Sequence, residues 1–245
     1  MKNICGVGLL ALLATAAWAQ STVPRGTVLP VALISGIRSN QVHPGEEIKA
    51  EIMQDVPSAR PRILRGTKLF GHIVSSHASG KTGSSLSLKF DRLRLKSEDL
   101  RLVTDLRALA SFMAVHDAQL PLNGPDRGTS EASWTTVQVG ADVVYRGGGP
   151  VTSGSEVVGK PVPGGVLVRV RARPGTRCRG PLDGDQPQAL WVFSSDACGV
   201  YGFDNLAISH AGRTAPAGEI VLTSTKKQLK LARGTGLLLR VNAPH

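Results

Sequence analysis

Apolar and polar residues alternate with a period of two over much of the chain. Within residues 46–54, Ile48, Ala50 and Ile52 alternate with the charged residues at 47, 49 and 51. Residues 86–95 alternate in the same way, but the phase shifts at Asp91-Arg92, which predicts a β-bulge there. Because successive side chains of a strand point to opposite faces, this period predicts half-buried β-strands.

Other segments predict further strands, separated by turns rich in Gly, Pro and Ser. These segments are residues 27–37, 68–75, 165–173, 189–194, 206–210, 219–224 and 236–241. Residues 100–109 fit either a strand or a helix. Many short strands at near-regular spacing predict a mainly β fold: a short-stranded barrel or sandwich, as one body or two β subdomains, with a Gly/Pro-rich middle.

The tripeptide Arg-Gly-Thr occurs three times directly before an apolar run. The copies are Arg25-Gly26-Thr27, Arg65-Gly66-Thr67 and Arg233-Gly234-Thr235. Because glycine tolerates a left-handed backbone, each copy predicts a tight turn just before a buried strand. The repeat indicates a recurring β-hairpin unit and gives no information about chemistry.

The first residues have the composition of a secretory signal peptide. Lys2 gives a positive start, residues 7–17 are almost purely apolar, and Ala17-Trp18-Ala19 places small residues where a signal peptidase cleaves. The apolar run is shorter than the roughly 20 residues that a membrane-spanning helix needs. We therefore predict a cleaved signal peptide over residues 1–19, a mature chain from Gln20, and a periplasmic or secreted location.

Composition divides the mature chain into three predicted regions. Residues 20–112 form a β domain, residues 113–165 a linker or arm, and residues 166–245 a C-terminal β region. In the last region, Cys178 and Cys198 are an even pair in a chain predicted to be exported, which predicts one disulfide bond. A metal site is the weaker alternative, because no histidine lies between or close to the two cysteines.

The chain is basic, with a formal net charge of +11 at pH 7. This charge favours anionic partners such as lipid head groups, acidic envelope polymers or nucleic acid. Aromatic residues make up only 4 % of the chain, which argues against a base-stacking surface for single-stranded nucleic acid. Arg169, Arg171 and Arg173 would share one face of a strand and form a candidate anion-binding stripe. A solvent-facing strand protected by its charges is the other interpretation of the same residues.

Nothing in the sequence predicts catalytic residues, a metal site or a cofactor. The nucleophile motif Gly-x-Ser-x-Gly does not occur. Ser194-Ser195-Asp196 and His210 could form a local catalytic group, but serines near a strand end also serve in ordinary turns. His72 and His77 are five residues apart, which places them on opposite faces of a strand, and no third metal ligand is identifiable.

The first part of the mature chain resembles the TrbI-type conjugal-transfer proteins, the scaffold proteins of type IV secretion systems. Residues 25–33 (RGTVLPVAL), followed by Pro44-Gly45 and residues 48–52, resemble the opening of that family's barrel domain. Residues 63–71 and 86–95 resemble its next two strands. The resemblance covers roughly residues 23–109 and implies the β-barrel fold of that domain and a role related to secretion or conjugation.

The chain also departs from that family. The family carries a cytoplasmic tail, an inner-membrane helix and a long Pro-rich stretch, and we expect none of these here. The resemblance therefore does not imply that the chain spans both membranes. Residues 178–241 resemble secreted proteins of environmental bacteria to which no function attaches.

These observations predict a non-enzymatic exported cell-envelope protein with a role in assembly or partner binding. The expected partners are envelope proteins or anionic envelope polymers. A secreted hydrolase of an acidic envelope polymer and a polyanion-binding module are two alternatives, and the positive charge motivates both. A cleft in which catalytic side chains converge would favour the hydrolase.

Overall fold

The protein is mainly β, as predicted. The structure is a computed structural model that describes residues 23–57, 62–78, 83–96, 98–122, 134–145, 149–169 and 187–242. In these ranges the chain forms eighteen strands and one short helix, α1 (Phe112–Asp117). The strands are β1 (Val28–Leu33), β2 (Ile37–Arg38), β3 (Glu47–Ile52), β4 (Lys68–Ala78), β5 (Ser84–Leu95), β6 (Glu98–Arg101), β7 (Val103–Ala110), β8 (Thr135–Val137), β9 (Val143–Tyr145), β10 (Val151–Ser153), β11 (Glu156–Val162), β12 (Gly165–Val168), β13 (Gln188–Ala189), β14 (Gly199–Tyr201), β15 (Leu206–Ala211), β16 (Ile220–Ser224), β17 (Lys230–Leu231) and β18 (Gly236–Asn242). Within the same ranges, no helix has the length and apolar composition needed to cross a membrane.

The strands form three sheets. The ten-stranded sheet has the order β14-β7-β18-β1-β3-β4-β5-β16-β15, and β6 pairs with β5 beside this path. The six-stranded sheet has the order β13-β12-β11-β10-β9-β8, and β17 pairs with β2. Across the described strands, the ladder of the large sheet ends at β14 and β15 without closing. The architecture is therefore a sandwich-like mixed-sheet fold and not a closed barrel.

Strands from both ends of the chain share the ten-stranded sheet. β18 lies between β1 and β7, so that Leu239 faces Leu29 on one side and Leu106 on the other. β16 pairs with β5 over five residues. The two β regions expected at 20–112 and 166–245 thus contribute to one sheet, in which the apolar strand β18 has backbone partners on both of its edges.

The segment expected to be a linker or arm, residues 113–165, holds most of α1 and the strands β8 to β11. α1 begins after Ser111, whose Oγ accepts a hydrogen bond from the N–H of Ala114 at 3.1 Å. Three of these four strands have only three residues. Strands of that length are too short to show an alternating pattern in the sequence.

Apolar side chains form two core clusters. The inner cluster draws on most strands of the ten-stranded sheet, and includes Leu29, Leu69, Phe90 and Leu106. The outer cluster joins the ten-stranded sheet to the six-stranded sheet, and includes Val28, Val144, Trp191 and Leu238. β1 contributes alternate residues to the two clusters and is buried along its whole length. Burial on both faces explains why its sequence is continuously apolar.

The three Arg-Gly-Thr copies form equivalent turns, as predicted. Gly26, Gly66 and Gly234 have φ values of 85°, 89° and 81°. In each copy the Gly N–H donates to a carbonyl of a neighbouring strand, and the Thr N–H donates to the carbonyl three residues earlier. The turns lead directly into β1, β4 and β18. The sequence repeat is therefore also a structural repeat.

The predicted β-bulge is confirmed at Asp91. Phe70 lies opposite Arg92, whereas the next residue, Gly71, lies opposite Phe90, so Asp91 is the extra residue of β5. A Cβ atom on Gly71 would lie 1.9 Å from the carbonyl oxygen of Lys89, which excludes any larger residue. The bulge sets Phe70 and Arg92 opposite each other on one surface.

Buried ion pairs hold β15, at one end of the ten-stranded sheet, against β7. Asp105 on β7 is fully buried and accepts hydrogen bonds from Arg240 on β18 at 2.8 and 2.9 Å. Its second oxygen accepts from Arg213, which follows β15, at 3.3 Å. Arg213 also donates to the carbonyl of Leu106 at 3.2 Å. Side chains thus connect strands that the backbone ladder leaves apart.

Two glutamines attach the six-stranded sheet to the ten-stranded sheet. Gln54, just after β3, accepts from the N–H groups of Trp191 at 2.6 Å and Val166 at 3.2 Å, and donates to the carbonyl of Val166 at 2.8 Å. Gln188 on β13 accepts from the N–H of Val28 at 3.0 Å. Because all these groups are buried, each bond satisfies a donor or acceptor that water does not reach.

Candidate functional site

One surface of the six-stranded sheet exposes apolar side chains. Val137 on β8 lies opposite Val143 on β9, and Tyr145 follows on the same face of β9. Val143 lies opposite Thr152 on β10, which in turn lies opposite Val157 on β11. The exposed fractions of Val137, Val143, Tyr145 and Val157 are 36, 38, 46 and 62 %. We call these four residues the valine face.

The other surface of the same strands is packed. Val144 and Val151 alternate with the exposed residues, are completely buried, and belong to the outer cluster. The sheet therefore has apolar residues on both of its surfaces, although only one surface packs against other parts of the chain that the structure describes. Exposed apolar side chains that span adjacent strands are typical of a surface that contacts another molecule.

On a second surface, two arginine side chains lie over the ring of Phe70. The guanidinium carbons of Arg92 and Arg94 lie 4.6 and 4.8 Å from the centroid of the Phe70 ring, which are cation–π distances. Asp99 binds both arginines, at 2.9 Å from Arg92 and at 2.8 Å from Arg94. These hydrogen bonds, that from Arg94 above all, hold the pKa of the Asp99 carboxyl well below its usual range. We call Phe70, Arg92, Arg94 and Asp99 the Phe70 surface.

A cleft of about 590 Å³ lies beside the Phe70 surface. Four apolar residues line it: Val23, Leu102, Val103 and Val241. All of these except Val103 belong to the inner cluster, so the apolar part of the cleft continues into the core. Four polar residues complete the lining: Asp91, Arg92, Arg101 and Asn242. The volume lies in the range of roughly 300–1,000 Å³ that is usual for small-molecule sites.

The candidate anion-binding stripe is described only at its first residue. Arg169 is exposed and follows β12 directly. Arg171 and Arg173 lie outside the described residues, so the stripe stays a prediction. Cys178 and the predicted signal peptide at 1–19 also lie outside the described residues. The disulfide between Cys178 and Cys198 likewise stays a prediction.

Ser195, one of the two serines weighed as part of a catalytic group, makes structural bonds instead, and the Oγ of Ser194 is buried without a hydrogen-bond partner among the described residues. The N–H and Oγ of Ser195 donate to Oδ2 of Asp142 at 2.7 and 2.8 Å, and both residues are buried. His210 instead contacts the carbonyl of Glu219 at 2.6 Å and Oγ1 of Thr214 at 3.2 Å. Ser195 therefore pairs with Asp142 and has no bond to His210.

Of the two histidines considered as metal ligands, His72 contacts a carboxylate. Nδ1 of His72 lies 3.1 Å from Oδ2 of Asp91, beside the cleft. Across the described ranges, no group of three or more His, Cys, Asp or Glu side chains lies close enough together to hold a metal ion.

Sequence reasoning did not find the valine face, the Phe70 surface or the cleft. Three of the four residues of the valine face lie on β8 and β9, which have three residues each and are too short to show an apolar period. The Phe70 surface depends on the register between β4 and β5, which the bulge at Asp91 shifts. Of these three features, only the Phe70 surface has a signal in the sequence, namely the phase shift that predicts the bulge at Asp91. The cleft joins residues from near both ends of the described chain, and no local pattern shows such a contact.

Comparison of the chain with protein-family models, curated proteins and solved structures finds no match.

Proposed function

We propose that the chain is an exported cell-envelope protein that binds a protein partner through the valine face and does not catalyse a reaction. The exposure of four apolar side chains above an already packed sheet carries this proposal. Burial of apolar surface against a partner gains about 25 cal/mol per Å², so burial of these four side chains would favour association. Tyr145 adds the kind of large, partly polar side chain that is enriched at protein interfaces.

The role of Ser195 supports a non-enzymatic function. Its Oγ is engaged by the buried Asp142, and only 4 % of the residue is exposed. A nucleophile must reach its substrate and must lie within hydrogen-bond distance of a base. The bond to Asp142 instead fixes the loop between β8 and β9 against the segment after β13.

The location and the relation to secretion scaffolds rest on the sequence. Export rests on the predicted signal peptide at residues 1–19. A relation to the TrbI-type scaffolds rests on the resemblance over residues 23–109. That part of the chain includes β1 to β6 and most of β7, and the valine face lies outside it.

The polyanion-binding alternative gains little from the Phe70 surface. Arg92 and Arg94 are bound by Asp99, and Arg92 is also bound by Glu47 at 2.7 Å. These carboxylates neutralise much of the positive charge that would attract a polyanion. A protein partner at the valine face is therefore the better supported function.

An experiment that introduces negative charges into the valine face tests the proposal. Val143→Asp combined with Val157→Asp would place two carboxylates in the proposed contact, and an unpaired charge buried in an interface is strongly unfavourable. The matched control carries Ala207→Asp and Ser209→Asp on β15, which are exposed positions of the other sheet. Envelope extract of the native host is passed over each protein, and retained proteins are identified by mass spectrometry.

We expect a protein that the wild type and the control retain and that the Val143/Val157 variant loses. The same protein, once purified, should bind the wild type at a single saturable site. Equal retention by all three proteins, or retention by none, would contradict the proposal. Thermal unfolding should be nearly unchanged in both variants, since the substituted side chains are exposed.

A further inference from the structure

We propose that the cleft binds an amphipathic anion, a molecule with one carboxylate or phosphate head group and an apolar chain. This inference goes beyond the proposed function. The cleft shares no residue with the valine face, so either proposal can fail without the other.

The polar side of the cleft presents two arginines. Arg92 on β5 lies directly opposite Arg101 on β6, and both line the cleft. Like charges at directly opposed strand positions repel each other. Arg92 is held in place by Asp99 at 2.9 Å and by Glu47 at 2.7 Å. Its position is therefore set before any ligand arrives.

Arg101, unlike Arg92, is available to bind a ligand. Its side chain is exposed, and it makes no ion pair with any residue that the structure describes. A guanidinium offers five N–H donors in a planar fork that matches a carboxylate or a phosphate. An anion beside Arg101 would accept hydrogen bonds from this fork and would supply the negative charge that Arg101 does not receive from the described residues.

The acidic residue of the cleft is already engaged. Oδ2 of Asp91 lies 3.1 Å from Nδ1 of His72. Arg92 is likewise bound by Asp99 and Glu47. Arg101 is therefore the charged group of the lining that has no ion-pair partner among the described residues, and its positive charge favours an anionic head group over a cationic one.

The other side of the cleft suits an apolar chain. Val23, Leu102 and Val241 continue the inner cluster, and Val103 extends it towards the opening. Water in contact with this lining has few hydrogen-bond partners, so an apolar chain that displaces it is favoured. Apolar pockets with a few convergent polar groups are the usual form of small-molecule sites. The volume of about 590 Å³ limits the ligand to a single chain of moderate length.

Titration calorimetry with dodecanoate below its critical micelle concentration tests the proposal on the purified chain. Dodecyltrimethylammonium has the same apolar chain with the opposite charge, and inorganic phosphate has the charge without the chain. Vesicles of phosphatidylglycerol report attraction to a membrane surface. The variants are Arg101→Gln, which removes the head-group donor, and Val103→Glu, which adds a carboxylate to the lining. Arg38→Gln removes an exposed arginine elsewhere and is the matched control.

We expect saturable binding of dodecanoate at one site, with much weaker binding of the cation and of phosphate. Arg101→Gln should weaken dodecanoate binding by about tenfold or more, as expected for loss of a charged hydrogen bond. Val103→Glu should weaken it further, and Arg38→Gln should leave it unchanged. Circular dichroism should show the same fold for every variant.

Three results would overturn the proposal. One is the absence of saturable dodecanoate binding. Another is equally tight binding of the dodecyl cation. The third is unchanged dodecanoate binding in Arg101→Gln. Vesicle binding that does not depend on Arg101, without dodecanoate binding, would also contradict it, because it would report only the general positive charge of the chain.

Discussion

The two large sheets of this protein are built in different ways. The ten-stranded sheet contains strands of up to twelve residues and surrounds the inner cluster with alternating apolar residues. The longest strand of the six-stranded sheet has seven residues, and three of its strands have three. The first sheet keeps most of its large apolar side chains inside, whereas the second leaves the valine face exposed.

This difference suggests a division of roles. The ten-stranded sheet has its own core and its own buried ion pairs, so it can serve as the scaffold. The six-stranded sheet is held on that scaffold by the outer cluster and by the hydrogen bonds of Gln54 and Gln188. Its link includes a strained position, because Trp191 has a φ of 52°, a left-handed value that costs a non-glycine residue of order 1–2 kcal/mol. We therefore infer that the six-stranded sheet serves to expose the valine face, whereas the ten-stranded sheet provides most of the stability of the fold.

The largest expected effect is on the scaffold, in Asp105→Asn. Asp105 is buried and binds both Arg213 and Arg240, and its neutralisation would remove the negative charge to which both arginines are paired. Breaking a buried pair of this kind costs about 3–5 kcal/mol of the free energy of unfolding. Urea unfolding measures this loss. Arg62→Gln, which removes an exposed pair with Asp55, is the control and should cost less than about 1 kcal/mol.

If Asp105→Asn unfolds at the same urea concentration as the wild type, the side-chain link between β7 and β15 does not contribute to the stability of the scaffold. If Arg62→Gln lowers the free energy of unfolding as much as Asp105→Asn does, burial of the Asp105 ion pairs does not explain their contribution.

An intermediate effect is expected in Gln54→Ala, which acts on the link between the sheets. It leaves the N–H groups of Trp191 and Val166 without partners, at a cost of about 2–4 kcal/mol, whereas the carbonyl of Val166 keeps its bond from the N–H of Leu190. Because the lost bonds reach only the six-stranded sheet, hydrogen exchange should accelerate at Val166 and less at Leu239. The control Gln41→Ala removes an exposed amide and should change neither.

Equal acceleration at Val166 and Leu239 would show that the two sheets unfold as one unit, and the division into scaffold and attached sheet would then be wrong.

The smallest effect is expected at the Phe70 surface, from pH. The folded-state pKa of Asp99 is lowered, chiefly by its hydrogen bond from Arg94, so the unfolded chain binds its proton first as the pH falls. The stabilisation by Asp99 is thus fully present well above the unfolded-state pKa of about 3.9, and it is lost as the pH falls below that value. Unfolding of the wild type and Asp99→Asn, compared at pH 7 and pH 3, measures it.

The two proteins should differ slightly at pH 7 and by less at pH 3, where part of the stabilisation is already lost, and high salt should reduce the difference because these groups are exposed. A difference that grows as the pH falls would contradict the direction of the pKa shift.

How far the sequence predicts this fold differs between the two sheets. Long alternating segments predicted β3, β4 and β5, and even the extra residue at Asp91, because each signal lies within a few neighbouring residues. The Arg-Gly-Thr turns were predicted for the same reason. β8, β9 and β10 were not, because three residues cannot show a period of two against the Gly-rich sequence around them.

The candidate sites were harder to predict than the strands. The pairing of Arg92 with Arg101 depends on the hairpin register, and the cleft joins Val23 to Val241 across almost the whole chain. Asp105 and its arginines are separated by more than 100 positions. Such contacts follow from the sheet order, which composition and periodicity do not specify.

Site-specific photo-crosslinking in the native host is the most direct test of the central claim, that the valine face binds a protein partner. A benzoylphenylalanine is introduced at position 143 or 157, and at position 207 on β15 as the control. We predict that positions 143 and 157 give the same discrete adduct with another envelope protein and that position 207 does not. Identical adducts from all three positions, or none from positions 143 and 157, would contradict the claim.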